Sequence, residues 1–457
     1  MKNGLKKRYI NTFHKNNINF LGAFCFSLDN SEFSFLLNES GKSILLSNEL
    51  VESIENQTIS EALALKLLAH GFIVVDGISH CNAQVYCSKT AQPSVFVIDI
   101  TKSCNLNCSY CFRDLSDHRS IQKDILLDIC MFIDRTANEM HLQAISIQLW
   151  GGEPLCNIKS IRIVSDFFIN KAYSAQIDIE TNATLITPEI AKELYQRKIT
   201  VGVSIDGYPE IQNYQRPMVN NKASSEAVEQ GIKNLQSVYG NRFGGICVIT
   251  KNNYKNIERL LDYFIRELKI TSIKFNLVRD NPNAEIKSLG LSANEVRWFA
   301  NRLVETLKAY AILGLRISEG NILTKFNNLN EGNHSNCCIS CGCTGGTRII
   351  SFDMNGSIFP CEMTDYQEVR LGDIYSNVDL QNMISKARES NEYYFDRTND
   401  KCEKCPWLYF CRGGCTSRVH YVNKNGSIDE TECVLNQVFY EEIIRCLLNQ
   451  EIKRLVI

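Results

Sequence analysis

The sequence feature that most constrains this chain is a group of three closely spaced cysteines directly after an apolar segment. Cys104, Cys108 and Cys111 lie in the run TKSCNLNCSYCF, which follows residues 95–100. Thiolates are soft ligands that favour iron–sulfur clusters and zinc, and a fully ligated four-iron cluster needs four of them. Three local cysteines leave one iron open, so the sequence predicts a cluster that binds and activates a small molecule.

Two other structures are compatible with the same spacing. A helix would place the three cysteines on one buried face, since free cysteine behaves as a small hydrophobe. That helix needs apolar neighbours, whereas the intervening residues include Asn105, Asn107 and Ser109. A zinc site would need a fourth ligand nearby and usually uses C-x2-C pairs. Zinc therefore stays an alternative for this motif taken alone.

The length of the chain and its charge balance limit the number of domains and the kinds of partner to be expected. A chain of 457 residues is too long for one core and predicts two to four domains. With 49 basic and 51 acidic residues, neither nucleic acid nor an anionic membrane is expected as the main partner. Residues 1–20 lack the apolar block of a signal peptide, and no segment approaches the length of a membrane span. We expect a cytoplasmic protein with no membrane partner.

The twenty cysteines are unusual for that compartment, where thiols stay reduced and structural disulfides are rare. Five of them fall between Cys337 and Cys361, and five more fall between Cys402 and Cys433. Metal binding explains both groups most economically.

The region before the cysteines predicts a small separate unit. Short strands are expected at residues 24–27, 33–37 and 44–46, followed by a helix at 61–70 capped by Ser60 and a last strand at 72–75. This order is typical of a winged-helix-like module. Because its charge is mixed, peptide binding is as reasonable as DNA binding, and a purely structural cap is a further alternative. Residues 82–93 are predicted to be a linker.

From residue 95 to about 280 the sequence alternates between strand and helix patterns. Strands are predicted at 95–101, 144–149, 176–181, 200–205, 244–250 and 271–277, with helices near 120–138, 158–172, 188–197, 223–238 and 254–267. Six such units imply a parallel sheet with right-handed crossovers. Folds of this kind place their chemistry at the carboxyl ends of the strands.

Polar clusters follow several of these strand ends, as the three cysteines do. The second strand is followed by Gly151, Gly152 and Glu153, where the glycines allow close approach of a ligand to the backbone. The further candidates are Thr181 and Asn182 after the third strand, and Ser204, Asp206 and Arg216 after the fourth. Each cluster alone is a plausible loop, but together they predict one site.

Taken together, these features resemble those of the radical S-adenosylmethionine enzymes. Two motifs carry the resemblance: Cys104-x3-Cys108-x2-Cys111, with Tyr110 before the last cysteine, and the Gly-Gly-Glu-Pro segment that begins at Gly151. The resemblance implies that the open iron of a [4Fe–4S] cluster chelates S-adenosylmethionine and that its cleavage gives a 5′-deoxyadenosyl radical. It further implies that Glu153 and the two glycines receive the methionyl amino group. Thr181, Asn182, Ser204 and Asp206 would face the ribose, and Arg216 would pair with the methionyl carboxylate.

The C-terminal cysteines resemble the SPASM domain of the peptide- and protein-modifying members of that family. The resemblance implies two auxiliary [4Fe–4S] clusters. The first would use Cys337, Cys343, Cys361 and Cys415, and the second would use Cys402, Cys405, Cys411 and Cys433. Cys338 and Cys341 are extra thiols, so the ligands between 337 and 343 stay open, as does an open iron for a substrate thiolate. A zinc ribbon is the structural alternative.

The predicted fold is therefore α/β: a partial (β/α)6 parallel barrel with an N-terminal winged-helix-like module and a C-terminal cysteine-rich iron–sulfur domain. The expected domains are a leader-peptide recognition module at 1–90, the radical SAM barrel at 91–285, bridging helices at 286–335 and the SPASM domain at 336–457.

Three functions follow from this interpretation. The first is a maturase that binds a precursor peptide through its leader and installs a thioether or carbon–carbon crosslink, with flavodoxin or ferredoxin as electron donor. The second is a sulfatase-maturing enzyme that oxidises Cys or Ser to formylglycine, in which Glu362 would be the catalytic base. A surface-exposed Glu362 is the simpler alternative. The third is a zinc- or iron-stabilised binding protein without catalysis.

Overall fold

A computed structural model describes residues 4–15, 17–76, 93–114, 116–279, 289–331, 343–364, 367–376, 378–390, 398–422 and 428–456. Cys337, Cys338 and Cys341 lie outside the described residues, as does nearly all of the predicted linker at 82–93. The ligand choice between 337 and 343 therefore stays a prediction.

The N-terminal unit contains two antiparallel sheets and two helices. Its elements are β1 (Lys6–Ile10), β2 (Phe13–Lys15), β3 (Ile18–Phe20), β4 (Ala23–Ser27), β5 (Phe33–Leu37), β6 (Ser43–Ser47), α1 (Asn48–Glu55), α2 (Glu61–Ala69) and β7 (Ile73–Val75). One sheet has the strand order β1-β4-β5-β6, and the other has the order β2-β3-β7. The Ser60 hydroxyl accepts a hydrogen bond from the Leu63 N–H, so the predicted cap of α2 is present.

The two central strands of the larger N-terminal sheet, β4 and β5, are largely buried on both faces. One face, with Cys25 and Leu36, belongs to a small core that also contains Phe72. The other face packs against the C-terminal part of the chain, where the rings of Phe26 and Trp407 stack with centroids 5.4 Å apart. The N-terminal unit is thus attached to the region that carries the C-terminal cysteines.

The predicted alternation of strands and helices is present. The strands are β8 (Val95–Thr101), β9 (Ala144–Gly151), β10 (Ser174–Thr181), β11 (Thr200–Ser204), β12 (Gly244–Ile249) and β13 (Ser272–Leu277). The helices are α3 (Lys123–Glu139), α4 (Ile158–Phe168), α5 (Pro188–Gln196), α6 (Pro209–Gln215), α7 (Ser225–Tyr239) and α8 (Ile257–Asp262). Each strand pairs in parallel with the next. In β9, buried Ile145, Ile147 and Leu149 alternate with partly exposed residues, as the period of a strand requires.

The sheet extends beyond the six predicted strands at both ends. After α9 (Ala293–Ile312), strand β14 (Ser318–Glu319) adds in parallel to β13 and leads into α10 (Gly320–Glu331). At the other end, β15 (Ile349–Phe352) adds in parallel to β8, and β16 (Ser357–Phe359) and β17 (Gly372–Asp373) follow as antiparallel strands. Because β8 would otherwise leave a row of unpaired backbone groups, β15 satisfies that edge. The structure is an α/β fold with a mostly parallel central sheet of ten strands.

The remaining elements are α11 (Leu380–Ser390), α12 (Asp400–Glu403), α13 (Leu408–Cys411), α14 (Thr416–Val422) and α15 (Glu430–Leu448). Asp429 caps α15 by accepting hydrogen bonds from the Thr431 and Glu432 N–H groups. The helix α15 packs against α9, α10 and β5, and so contacts both the helices that flank β14 and the N-terminal unit. Among the described helices, none has the length and apolar character needed to cross a membrane.

Candidate active site and cysteine sites

The loop after β8 holds Cys104, Cys108 and Cys111, called the cysteine triplet below. Its backbone is tied to the segment after α6, because the Asn107 N–H donates to the Pro217 carbonyl at 2.8 Å and the Ser109 N–H donates to the Gln215 carbonyl at 2.9 Å. Within the loop, the Cys111 N–H donates to the Cys108 carbonyl at 3.0 Å. These hydrogen bonds hold the loop against the end of α6 and the residues that follow it.

Gly151 and Gly152 lie against the backbone that leads into the triplet. A Cβ atom on Gly152 would come within 2.4 Å of the Ser103 carbonyl oxygen, and one on Gly151 would come within 2.3 Å of the Thr101 oxygen. The Gly152 and Glu153 N–H groups donate to these same two carbonyls at 2.8 and 2.9 Å. The paired glycines are thus required by the close approach of two strand ends.

Glu153 is buried and accepts several hydrogen bonds from the protein. The Thr181 hydroxyl donates to Oε1 at 2.6 Å, the Leu155 N–H donates to Oε1 at 3.1 Å, and the Asn182 N–H donates to Oε2 at 2.7 Å. Burial raises the pKa of Glu153, although these donors oppose the shift. Glu153 joins the ends of β9 and β10.

A second network joins β10 to the triplet loop. The Asn182 amide donates to the Asn105 side-chain oxygen at 2.9 Å, and the Asn105 amide donates to the Thr184 hydroxyl at 2.7 Å. The Thr184 hydroxyl in turn donates to Asn182 Oδ1 at 2.6 Å. Three side chains from two separate loops therefore form a closed ring of hydrogen bonds beside the cysteines.

Asp206 is the centre of the third network. Its Oδ2 accepts from the Tyr110 hydroxyl at 2.6 Å and from Gln215 Nε2 at 3.0 Å, while Oδ1 accepts from the Val248 N–H at 2.9 Å. Arg216 Nε lies 3.0 Å from the same Oδ2 in an ion pair, although its N–H direction misses hydrogen-bond geometry. All four partners are held around a carboxylate that is completely buried.

Arg216 is placed next to the triplet by this arrangement. Its guanidinium carbon lies 5.3 Å from the centre of the Tyr110 ring, a cation–π contact. Burial raises the pKa of the Cys108 thiol to about 12, and the positive charge of Arg216 opposes that shift. Ser204, the last residue of β11, is partly buried. The structure therefore brings the predicted residues of four strand ends to the same edge of the sheet.

The barrel interior carries charged side chains between this site and the C-terminal cysteines. Glu180 of β10 lies over Gly202, where an added Cβ would be 3.4 Å from Glu180 Cγ. Burial raises the pKa of Glu180; Lys274 opposes the shift and Glu362 adds to it. Glu362 is partly buried, so the alternative of a surface-exposed side chain does not describe it.

The structure brings together the described members of the first predicted auxiliary set. Burial raises the pKa of the Cys361 thiol well above its usual value, and the charges of Glu362, Cys343 and Cys415 add to that effect. The Thr364 hydroxyl lies 3.6 Å from Cys361 Sγ. The described members of this set therefore interact electrostatically with one another.

The second predicted set lines one pocket. Cys402, Cys405, Cys411 and Cys433 surround a space of about 440 Å³ that is partly open to solvent. Two amide side chains of α15 point at its sulfurs: Gln437 Nε2 lies 3.6 Å from Cys433 Sγ, and Asn436 Nδ2 lies 3.9 Å from Cys411 Sγ. Hydrogen bonds to sulfur are among the features that tune the potential of an iron–sulfur cluster.

Both C-terminal donor sets consist of cysteines. In the part of the chain that the structure describes, no three His, Cys, Asp or Glu side chains converge as ligands of one metal ion. All-cysteine sets of this kind suit clusters, in which each iron takes its own thiolate.

The α/β fold and the site at its strand ends define a radical SAM domain. Residues 98–264 match the model of the radical SAM superfamily, and this domain uses S-adenosylmethionine and a [4Fe–4S] cluster. The chain is an enzyme of that kind.

Two curated relatives are similar over most of the chain. The cysteine-type anaerobic sulfatase-maturating enzyme of Clostridium novyi is 25% identical over 369 residues, which is 77% of this chain and 95% of that protein. The radical SAM cyclopropyl synthase TigE of Paramaledivibacter caminithermalis is 23% identical over 486 aligned positions, which cover 98% of this chain and 96% of that protein. The similarity to TigE therefore includes the N-terminal unit.

Two solved structures share the fold. Native anSMEcpe with bound AdoMet has a TM-score of 0.67 and 24% identity, and the match covers 79% of this chain and 99% of that one. Streptococcus suis SuiB bound to its precursor peptide SuiA has a TM-score of 0.52 and 17% identity, with 88% and 96% of the two chains covered. At these identities the likeness concerns the fold alone.

Several residues that build the site were not predicted from the sequence. Gln215 and Asn105 connect loops that are far apart in the sequence, and Arg279 and Arg418 connect the barrel to the C-terminal cysteines. For two of these residues, Gln215 and Arg279, the position in the sequence could have indicated a role in the site. Gln215 directly precedes Arg216, and Arg279 follows the last predicted barrel strand.

Proposed function

We propose that this chain is a radical SAM peptide maturase that installs a thioether or carbon–carbon crosslink in a ribosomally synthesised peptide. The observation that carries the proposal is that the triplet loop is held at two neighbouring strand ends, where Tyr110 donates to Asp206 and Asn105 accepts from Asn182. The N-terminal unit of the chain is also included in the alignment with TigE. TigE is a cyclopropyl synthase, and SuiB is bound to a precursor peptide. The likeness to SuiB favours a peptide as the substrate.

We assign the cysteine triplet as ligands of the S-adenosylmethionine cluster. Together, the bound cluster and S-adenosylmethionine supply a 5′-deoxyadenosyl radical. Arg216 would pair with the methionyl carboxylate, while Asp206 would act as a positioning residue, because its oxygens already have protein partners. Oε2 of Glu153 accepts a single described hydrogen bond and has capacity for the methionyl amine.

The remaining ligand contacts follow from the same arrangement. Thr181, Asn182 and Ser204 would lie along the ribose, because they occupy the ends of β10 and β11 next to the triplet. The hydroxyl of Tyr110 is occupied by Asp206, so its ring, rather than its hydroxyl, would border the ligand.

The N-terminal unit, residues 1–90, would act as the winged-helix-like module that binds the leader. Its outer strands, β1 and β6 in one sheet and β2 and β7 in the other, are positions where an extended peptide adds a strand. Contact between Phe26 and Trp407 would hold the bound peptide near the C-terminal cysteines. The barrel would occupy 91–285, and the bridging helices would occupy 286–335.

Residues 336–457 would form the SPASM domain with two auxiliary [4Fe–4S] clusters. Cys343, Cys361 and Cys415, with Cys337, would hold the first cluster. Cys402, Cys405, Cys411 and Cys433 would hold the second. These clusters would take up the electron left on the substrate after hydrogen abstraction, and a flavodoxin or ferredoxin would supply the electron that starts the reaction.

A sulfatase-maturing activity is the second candidate. It is favoured by the similarity to the Clostridium novyi enzyme and by the partly buried position of Glu362, whose charge acts on Glu180. There Glu362 would remove a proton from a substrate thiol or hydroxyl. This reaction leaves an aldehyde, whereas a crosslink removes two hydrogen atoms from the peptide.

The test uses the full chain, reconstituted anaerobically with iron and sulfide, and two peptides. One is a short peptide encoded beside this gene, and the other is a sulfatase peptide with the modifiable Cys or Ser. Mass spectrometry should show loss of two hydrogens in the first peptide, and removal of its leader should abolish that loss. Aldehyde formation in the sulfatase peptide alone would replace the proposal by the second candidate. Zinc in place of iron would indicate the non-catalytic binding protein.

A further inference from the structure

Arg279 connects the end of β13 to the first auxiliary set. Its Nη1 lies 3.9 Å from Cys415 Sγ and 3.0 Å from the Ser417 hydroxyl oxygen. The side chain is partly buried and approaches the cysteines from the barrel side. A cation donating a hydrogen bond to a ligand sulfur changes the charge that the cluster experiences.

Arg279 places a permanent positive charge beside a ligand sulfur, because an arginine guanidinium stays protonated at any ordinary pH and Nη1 contacts Cys415 Sγ. In a partly desolvated site such a charge acts more strongly than it would in water.

A reciprocal contact fixes Arg279 in place. Arg418, three residues after Cys415, donates to the Leu277 carbonyl at 3.2 Å and to the Val278 carbonyl at 3.4 Å. Arg418 is itself paired with Asp429 at 2.6 Å. The strand end thus contacts the cysteine region through two arginines that point in opposite directions, and Arg279 is the one whose guanidinium reaches a sulfur.

We infer that Arg279 is a positioning residue that raises the reduction potential of the first auxiliary cluster by donating to the thiolate of Cys415. The inference rests on the proposed function, because it requires the ligand set assigned there. Reduction adds one negative charge to a cluster, and a neighbouring cation stabilises the more negative state. Loss of this cation makes the potential more negative.

The experiment uses full-length protein carrying Cys104→Ala, Cys108→Ala and Cys111→Ala, so that only auxiliary clusters contribute signals. Electron paramagnetic resonance follows their reduction during titration with dithionite. In Arg279→Gln we expect the reduced-to-oxidised ratio of the first cluster to fall about tenfold at a fixed potential, which is about 59 mV for one electron. The second cluster is the internal reference and should not shift.

Three further variants separate tuning from folding. Arg279→Lys keeps the charge and should recover most of the potential. Ser417→Ala removes the hydroxyl that orients the guanidinium and should give a smaller shift in the same direction. Arg266→Gln removes an exposed charge that pairs with Asp262 and should give no shift.

The outcomes distinguish the inference from the proposed function. Two auxiliary signals with unchanged potentials in both Arg279→Gln and Ser417→Ala would overturn the inference and leave the cluster assignments intact. Fewer than about eight irons per chain in the triplet background, at about four per cluster, would overturn both. A shift confined to the first cluster supports both.

Discussion

The cysteine triplet and the C-terminal cysteines differ in how the chain brings their sulfurs together. The triplet occupies a single loop, whose backbone N–H groups donate hydrogen bonds to the carbonyls of Gln215 and Pro217. The C-terminal sets draw ligands from segments between Cys343 and Cys433 that contact one another only in the folded chain. Backbone hydrogen bonds from within one loop therefore shape the first site, whereas in the second region we expect metal binding and folding to be coupled.

The largest effect is expected when ligands are removed from the second region. Cys402→Ala with Cys405→Ala should open the contact between the N-terminal unit and α15, because these variants would lose the proposed cluster whose ligands lie in or beside α12, α13 and α15. Limited proteolysis should cleave the C-terminal region at least about tenfold faster. A tenfold change corresponds to a loss of about 1.4 kcal/mol in the free energy that separates the closed form from the open, cleavable form.

The triplet variant, with Cys104, Cys108 and Cys111 replaced by alanine, is the matched control for that experiment. It should resist the protease as the unmodified chain does. Equal sensitivity of the two variants would remove the contrast between a preformed loop and a metal-dependent region.

The second-largest effect is expected at the buried ion pair between Asp206 and Arg216. Asp206→Asn leaves Arg216 without a counter-charge in a buried site, which should cost roughly 3–5 kcal/mol of unfolding free energy. Chemical unfolding measures this, and calorimetry should show weaker binding of S-adenosylmethionine. Glu210→Gln breaks an exposed pair with Arg259 in the same barrel and should cost less than about 1 kcal/mol. Equal losses in the two variants would contradict the role of Asp206.

A smaller effect is expected at the glycine pair. Gly152→Ala places a methyl group 2.4 Å from a backbone oxygen and should cost about 1–3 kcal/mol while displacing the triplet loop. The affinity for S-adenosylmethionine should fall with it. In Gly244→Ala the nearest atom lies at 3.7 Å, so that variant should bind S-adenosylmethionine normally. Normal binding by Gly152→Ala would show that the loop tolerates displacement.

The smallest effect belongs to the sulfur contacts of the second auxiliary set. Gln437→Leu removes one neutral donor from Cys433 and should lower the potential of that cluster by less than Arg279→Gln lowers that of the first. Iron content should not change. A shift larger than that of Arg279→Gln would mean that a neutral amide affects its cluster more than a cation does.

The sequence predicted the six parallel strands well, because β8 is a buried run and the other five alternate buried with exposed or partly exposed residues, patterns that are encoded locally. It did not predict β1, whose residues Lys6 to Tyr9 are exposed and charged and show no alternation. Nor did it predict that β15 pairs with β8, since that pairing joins distant segments and has no local signal.

The residues that belong to the site were predictable from the sequence, but the contacts between them were not. Residue types at strand ends indicated Asp206, Arg216 and Glu153 as members of one site, which the structure brings to one edge of the sheet. Which side chain pairs with which was not predictable, because the partners come from separate loops. Asp206, expected to face the ribose, instead pairs with Arg216 and Tyr110.

The most direct test of the central claim is a paired measurement of iron and 5′-deoxyadenosine in the unmodified chain and the triplet variant, both reconstituted anaerobically. The unmodified chain should bind about twelve irons and cleave S-adenosylmethionine under reducing conditions. The triplet variant should keep about eight irons and form no 5′-deoxyadenosine. Cleavage that survives loss of the triplet, or zinc in place of iron, would contradict the account.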